Sequence, residues 1–328
     1  MNTNDSSNRE SRPQMMSKEN KLQPPGEGVQ KSPAEKRDLN LYAEFSAARQ
    51  FVNTKFGRVA VVENGSGPAA VFLHGFPLNG YHWRYQLTEL ADSRRCIAID
   101  LMGLGHTEVL PGQSLTFSAQ ADMVLSTLDA MGVETFELVG NDTGGAVAQM
   151  VAVKQPARVR SLVLTNTDAH DNYPPKALSL VHDAAVAGTL DELFLGFLDN
   201  PELARQGMGA LVYENPTILT ADLLDIYLSP ITKNERRRKQ INEYIATQDA
   251  SETVAIKPDL EKLMLPTLIL WANADPFFGL EWAHWLKRTI SGAQDKEIIE
   301  FDQAKLFFTE ERAAEVTSYI RQHWSVID

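Results

Sequence analysis

Short apolar runs recur along residues 51–169 and 264–328, separated by stretches whose apolar residues have helical spacing. Such runs are typical of strands buried on both faces of a sheet, whereas spacings of three and four residues are typical of amphipathic helices. The pattern predicts strands at 51–56, 58–62, 70–73, 95–99, 136–139, 159–164, 267–271 and 298–301, and helices at 117–131 and 309–324. This alternation predicts an α/β fold with a mostly parallel sheet covered by helices.

The alternation stops between residues 170 and 263. Helical spacing continues through this stretch, with helices predicted at 174–187, 191–198, 201–211, 221–228 and 233–248. We therefore predict a helical cap, 170–263, inserted into a core formed by 41–169 and 264–328. Residues 1–40 are polar and mixed in charge, so we expect a disordered N-terminal tail that cannot bury enough apolar surface to offset its ordering entropy.

Composition narrows the range of partners. The 328 residues carry a formal net charge of -12 at pH 7, which argues against nucleic acid or an anionic membrane as the main partner. The single cysteine, Cys96, excludes an internal disulfide. No apolar run has transmembrane length, and none near the first residue resembles a signal peptide. We therefore expect a cytoplasmic protein that binds a small-molecule substrate, with no cofactor and no metal, since no ligand spacing or phosphate-binding loop is evident.

The most informative stretch is LVGNDTGGA at 138–146, which indicates a strand, a sharp turn and a helix. Glycines flank Asp142 at the apex, as expected for a strained turn with close backbone approach. The Asp142 carboxylate has two interpretations. It could attack carbon and form an ester intermediate, or it could cap the following helix, as Asp often does.

Four stretches together resemble the α/β-hydrolase superfamily, in particular the branch of haloalkane dehalogenases, haloacetate dehalogenases and epoxide hydrolases. They are HGFP at 74–77 with YHWR at 81–84, DLMGLGHT at 100–107, GNDTGG at 140–145 and LWANADP at 270–276. In this superfamily G-x-nucleophile-x-G forms a strand-to-helix elbow. The resemblance covers about residues 51–324 and implies an α/β-hydrolase fold with a helical cap between two core strands.

The resemblance also implies roles for individual residues. Asp142 matches the nucleophile, and Asp275 matches the acid that orients the catalytic base. The backbone N–H groups of Phe76 and Thr143 match the oxyanion hole. Asn166 resembles an asparagine that helps to bind halide in some dehalogenases, although an Asn at a strand end is also a common turn former.

One position departs from the branch. The loop after the last strand normally carries the triad histidine before an E-E-R sequence, but here AKLFFTEER at 304–312 has Leu306 at that place. Leucine cannot accept a proton, and the ester of an Asp nucleophile normally needs a histidine-activated water. His170, where the predicted cap starts, is the first candidate for a relocated base. His74 could contact substrate beside the oxyanion turn or could hold that turn in place.

Other polar residues keep two interpretations. Four tyrosines of the predicted cap could act as acids toward an epoxide oxygen or could pack internally: Tyr173, Tyr213, Tyr227 and Tyr244. Asp168 and Asp171 could be pocket acids or members of a solvated loop. The sequence thus predicts an enzyme that uses Asp142 on a small, largely apolar substrate without ordinary histidine-dependent hydrolysis. The alternatives are a degenerate relative that binds a ligand or protein, and a non-hydrolytic lyase, isomerase or cyclase.

Overall fold

The computed structural model describes residues 33–295 and 297–327. Contacts group the chain from Leu39 onward into one compact unit. Most of the predicted disordered tail, residues 1–32, lies outside the described residues. Its last residues belong to helix α1 (Pro33–Ala47).

The described strands form one eight-stranded sheet in the order β1-β2-β4-β3-β5-β6-β7-β8. Strand β2 runs antiparallel to both of its neighbours, and the other neighbouring pairs are parallel. The fold class predicted from the sequence is therefore confirmed. The strands are β1 (Arg49–Thr54), β2 (Gly57–Asn64), β3 (Ala69–Leu73), β4 (Arg95–Ile99), β5 (Phe136–Asp142), β6 (Val159–Thr167), β7 (Thr267–Ala272) and β8 (Ile299–Phe301).

The central strands bury both of their faces. Every residue of β3, β5 and β7 is buried, which explains the apolar runs of β3 and β7. In register, Leu73 of β3 pairs with Gly140 of β5, and Asp142 pairs with Thr167 of β6. Because parallel strands end at the same edge, the residues that follow β3, β5, β6 and β7 meet at one side of the sheet.

Helices cover the sheet, and within the described residues the segment between β6 and β7 contains helices and loops but no strand. No described helix combines the length and apolarity needed to cross a membrane. The core helices are α2 (Arg84–Glu89), α3 (Phe117–Ala130), α4 (Thr143–Lys154), α13 (Leu280–Thr289), α14 (Phe308–Glu311) and α15 (Ala313–Ser325). The helical insertion contains α5 (Ser179–Ala187), α6 (Leu190–Asp199), α7 (Pro201–Ala204), α8 (Ala210–Val212), α9 (Ala221–Thr232), α10 (Glu235–Thr247), α11 (Ala250–Ala255) and α12 (Lys257–Leu260).

Buried polar groups fasten the helical insertion to the core. Arg84 of α2 pairs with Glu310 of α14, and both side chains are almost fully buried. The hydroxyls of Tyr213 and Tyr227, from the insertion, also donate to the Glu310 carboxylate. Arg237 of α10 donates to backbone carbonyls of the loop after β4. These charge-assisted bonds hold the insertion against the edge where the strands end.

Candidate active site

Strand β5 ends at Asp142, which has φ 54° and ψ -134°, a conformation that residues with side chains rarely adopt. Glycines make the turn possible: a Cβ on Gly144 would lie 2.3 Å from the carbonyl oxygen of His74, and one on Gly145 would lie 2.3 Å from Oγ1 of Thr167. Asp142 stands at the N-cap position of α4, but its side chain does not make a capping hydrogen bond. This observation argues against the helix-cap interpretation. Strained residues of this kind cluster at functional sites.

Both N–H groups assigned to the oxyanion hole hydrogen-bond to the carboxyl of Asp142. The N–H of Phe76 donates to Oδ2 at 2.7 Å, and backbone hydrogen bonds from Phe76 and Thr143 oppose the rise in the Asp142 pKa. Gly75 permits this approach, since a Cβ there would stand 2.3 Å from Oδ2. An ester formed on Asp142 would present its carbonyl oxygen to the same N–H groups, which stabilise a tetrahedral oxyanion.

Asp275 follows β7 and is held from two sides. The N–H of Phe277 donates to its Oδ1 at 2.8 Å, and the amide of Asn166 donates to its Oδ2 at 2.8 Å. The Asn166 side chain also bonds both the N–H and the carbonyl of Ala272. Asn166 and Asp275 are absent from the cavity wall described below. The structure therefore uses Asn166 to fix Asp275 and β7.

The rings of His74 and His170 have partners other than the carboxyl of Asp142. His74 is fully buried, its Nδ1 lies 2.9 Å from the Gly75 carbonyl, and its Nε2 accepts the N–H of Leu101 at 3.1 Å. Burial lowers the pKa of His74, so the ring holds the turn as a neutral group. His170 lies against Asp171, and the centroid of its ring lies 4.9 Å from that of Trp285, with the two rings tilted by 48°. Neither histidine lines the cavity.

Leu306 lies where the resemblance places the triad histidine, and it lines the cavity with 3% of its surface exposed. In the described part of the chain, none of the seven histidines hydrogen-bonds to the carboxyl of Asp142 or Asp275. One histidine, His182 on α5, does lie in the cavity wall. Its helical spacing was visible in the sequence, but the spacing did not show that this side of the helix faces the site.

An apolar cavity of about 340 Å³ opens above Asp142. Its size is within the range of small-molecule sites. Five wall residues are polar: Asp142, Thr143, Asp168, Tyr173 and His182. Apolar side chains of the helical insertion supply much of the remaining wall, and no Lys or Arg of the described residues belongs to it.

Asp168 is a site residue that the sequence left undecided. It follows β6, is 1% exposed and lines the cavity together with Asp142. Within residues 33–295 and 297–327, neither oxygen of its carboxyl has a hydrogen-bond partner. The solvated-loop interpretation is wrong for Asp168, whereas the Asp171 carboxyl is 67% exposed. A single acid after a strand gives no sequence signal of burial, because the covering residues come from the distant insertion.

Three buried carboxyls thus lie close to one another, and burial is the main cause of their shifts. Burial raises the pKa of Asp142 to about 7, with a smaller rise from the charge of Asp275. Burial also raises the pKa of Asp275 to about 7. The pKa of Asp168 lies well above its ordinary value because of burial and the negative charge of Asp142. No group of three or more His, Cys, Asp or Glu among the described residues could hold a metal.

The four tyrosines separate into two pairs. Tyr244 bonds Oγ1 of Thr143 through its hydroxyl at 2.9 Å and stacks on Phe76. Tyr173 lines the cavity, while its hydroxyl donates to the Ile245 carbonyl at 3.1 Å. The other pair, Tyr213 and Tyr227, donates to Glu310 at the junction of insertion and core. Only the first pair adjoins the site.

Comparison with known proteins agrees with this arrangement. Residues 68–301 match the family model described as alpha/beta hydrolase fold. The chain is 27% identical over 250 residues to human epoxide hydrolase 4, covering 71% of this chain and 66% of that protein. It is 25% identical over 293 residues to a cis-3-alkyl-4-alkyloxetan-2-one decarboxylase of Shewanella oneidensis, covering 83% and 87%.

A third relative, epoxide hydrolase 2 of Siraitia grosvenorii, is 40% identical over 164 residues, covering 49% of this chain. The match spans less than two thirds of the human and Siraitia proteins, at 66% and 50% of their lengths. Among solved structures, the epoxide hydrolase CorEH superposes with a TM-score of 0.71 at 22% identity, covering 85% of this chain and 99% of that one. The protein belongs to the α/β-hydrolase fold family.

Proposed function

We propose that this protein is an enzyme that opens an uncharged, largely apolar electrophile, with an epoxide as the model substrate, by attack of Asp142 on carbon. The observation that carries the proposal is the setting of Asp142: a strained elbow at the floor of an apolar cavity. The N–H of Phe76 holds Oδ2, which leaves Oδ1 as the attacking atom. An aspartate in this position can form an ester with the carbon that it attacks.

The cavity wall supports an uncharged substrate. It contains two acidic side chains, Asp142 and Asp168, and among the described residues it contains no Lys or Arg. A substrate carboxylate would meet negative charge without a partner, which is costly in a dry cavity. Residue Thr143 follows the nucleophile and cannot form the bidentate bond with a carboxylate that an arginine there would offer. We infer that the helical insertion serves as the cap over this cavity.

Relatives of this chain support an electrophile of the epoxide class. Two of the three sequence relatives reported above are called epoxide hydrolases. Opening an epoxide requires a nucleophile and a proton for the ring oxygen, and Leu306 is no obstacle to that first step. The second step, hydrolysis of the Asp142 ester, needs a base other than a histidine at position 306.

A second reaction would need no base and is therefore compatible with Leu306. The relative that is matched over 87% of its length is an oxetan-2-one decarboxylase. Loss of CO2 from a four-membered lactone breaks its ring C–O bond and one C–C bond and leaves an alkene, with no net uptake of water or protons. An Asp142 ester that collapses in this way would need no base.

The test is consumption of a substrate panel by wild type and Asp142→Asn. The panel contains styrene oxide, 1-bromohexane, a cis-3,4-dialkyloxetan-2-one and a carboxylated epoxide. We expect wild type to consume at least one equivalent of an uncharged member and the variant to consume none. A diol indicates epoxide opening, and an alkene from the lactone indicates the second reaction. Equal consumption by both proteins, or none by wild type, would contradict the proposal and favour a binding role.

A further inference from the structure

We propose that Asp168 is the catalytic acid and base of this site: it protonates the opened ring oxygen and then deprotonates the water that hydrolyses the Asp142 ester. This inference rests on the proposed function. It assigns to a carboxyl after β6 the proton transfers that Leu306 cannot perform.

The position of Asp168 supports this role. Its neighbour Thr167 pairs in register with Asp142, so both acids leave adjacent parallel strands at the same edge of the sheet. Its backbone is fixed, because its carbonyl accepts the Gln149 amide at 2.9 Å. Both acids line the same cavity.

The lack of hydrogen-bond partners for the Asp168 carboxyl also supports this catalytic role. A buried polar group without a hydrogen-bond partner destabilises a protein, and both carboxyl oxygens of Asp168 lack one among the described residues. The side chain is 1% exposed, so bulk water does not compensate. A group that faces a cavity in this condition is available to a substrate oxygen or a water inside it.

Neighbouring ionisable groups influence whether the Asp168 carboxyl carries a proton. The acidic groups that act on Asp168 are Asp142 and Asp275, and Tyr173 and Tyr244 experience the Asp168 charge in turn. The remaining titratable group of the cavity wall is His182. The charge of an ionised Asp142 raises the pKa of Asp168 further, so Asp168 keeps its proton while Asp142 carries the negative charge. The site then holds one nucleophilic carboxylate beside one carboxylic acid.

The first half-reaction uses both groups. Oδ1 of Asp142 bonds to a ring carbon, the ring C–O bond breaks, and the ring oxygen takes the proton of Asp168. The site retains one negative charge, which moves from Asp142 to Asp168. The product of this step is a hydroxyalkyl ester of Asp142 next to an ionised Asp168.

The second half-reaction restores the site. Asp168 takes one proton from a water, whose oxygen bonds to the Asp142 carboxyl carbon, and the N–H groups of Phe76 and Thr143 stabilise the oxyanion. The intermediate expels the alcohol, whose oxygen takes the second proton of the water. Asp142 is again ionised and Asp168 is again protonated, and the net reaction is epoxide plus water to diol.

Asp168→Asn tests the role without a large change in volume, and Asp171→Asn is its control, because that carboxyl is exposed in the same loop. The probe is 1-bromohexane, since bromide leaves without a proton and alkylation should not need Asp168. Alkylation also removes the charge of Asp142, which lets Asp168 release its proton to solvent and then act as the base on the hexyl ester. Rapid-quench intact mass would follow formation and decay of the hexyl-enzyme. We expect equal formation in all three proteins and decay at least about 100-fold slower in Asp168→Asn, the lower range for a lost general base.

Two further readouts separate catalysis from structure. With styrene oxide, adduct formation itself should slow in Asp168→Asn, because this leaving oxygen needs a proton. In ¹⁸O-water, wild type should acquire ¹⁸O in the Asp142 peptide after one turnover, whereas Asp168→Asn should not. Melting temperatures no lower than that of wild type would show that the variants are folded.

The outcomes distinguish the two proposals. Adduct decay in Asp168→Asn at the wild-type rate, or an equally permanent adduct in wild type, would overturn the role of Asp168 while leaving Asp142 as nucleophile. Decay that slows in His182→Phe but not in Asp168→Asn would likewise overturn it. Absence of both adduct and product in every protein would instead overturn the proposed function.

Discussion

Replacing Asp142 by Asn should stabilise the folded protein at neutral and alkaline pH. The Asp142 side chain is 4% exposed, and burial raises its pKa from 3.8 to about 7. The folded state therefore resists ionisation of a carboxyl that ionises freely in the unfolded chain. Asn has nearly the same shape, carries no charge and still offers an oxygen to the Phe76 N–H.

The size of the effect follows from the pKa shift. A rise of about three units at about 1.36 kcal/mol per unit corresponds to about 4 kcal/mol of lost stability above pH 7. Between the unfolded and folded pKa values the unfolded state binds fewer protons, so wild-type stability falls as the pH rises through this window and then levels off. At pH 5 about 2 kcal/mol of the penalty has developed, and below pH 3 almost none.

Urea unfolding at pH 5 and pH 8 measures this directly. The free energy of unfolding of Asp142→Asn should exceed that of wild type by about 4 kcal/mol at pH 8 and by about 2 kcal/mol at pH 5. Asp171→Asn, at an exposed carboxyl, should show no such pH dependence. A destabilised Asp142→Asn at pH 8, or an equal difference at both pH values, would refute the argument that Asp142 is held in a dry, strained site.

Three further substitutions test other parts of the account. Leu306→His, which places an imidazole in the cavity wall, should shorten the lifetime of the alkyl-enzyme by about 100-fold in rapid-quench mass measurements; an unchanged lifetime would contradict the alignment. Glu310→Gln, which leaves a buried guanidinium uncompensated, should lower the free energy of unfolding by about 3–5 kcal/mol in urea. Gly144→Ala should destabilise by about 2 kcal/mol or more, because its Cβ would lie 2.3 Å from a backbone oxygen. Gly196→Ala, its control within helix α6, would place its Cβ 3.9 Å from Cδ2 of Leu203, an ordinary contact, and should stabilise by up to about 1 kcal/mol. Equal effects of the two alanines would refute the packing argument.

Much of the fold was readable from local patterns. Buried parallel strands have continuous apolar runs, so β3 and β7 were predicted within one residue of their observed bounds. Strand β5 was predicted to end at residue 139, whereas it continues through polar residues to Asp142. The turn at Asp142 was predicted because its close backbone contacts require glycines, and these glycines are visible in the sequence. The helical stretch between β6 and β7 was predicted from spacing, although α11 and α12 were missed. Those two helices are short, and α12 has a proline in its first turn, so neither carries a long periodic pattern.

The site was less predictable because its environment is assembled from distant residues. Asp168 could not be distinguished from a solvated acid, since its burial depends on the helical insertion. In the sequence, Glu310 served only to match residues 304–312 to the pattern of the hydrolase branch. The structure pairs Glu310 with Arg84, which is distant in the sequence. Helical spacing showed that His182 lies on a helix, but spacing alone does not show which side of α5 faces the cavity. Burial and pairing of such polar residues are properties of the tertiary structure.

The most direct test of the account is the chemical state of Asp142 during reaction. Wild type would be mixed with styrene oxide or 1-bromohexane, quenched in acid within milliseconds to minutes, digested and analysed by peptide mass spectrometry. We expect the wild-type peptide that contains residue 142 to gain the mass of one alkyl group. The same peptide of Asp142→Asn should gain no mass. Product formation without any adduct on Asp142, or an adduct confined to another residue, would contradict its role as the nucleophile.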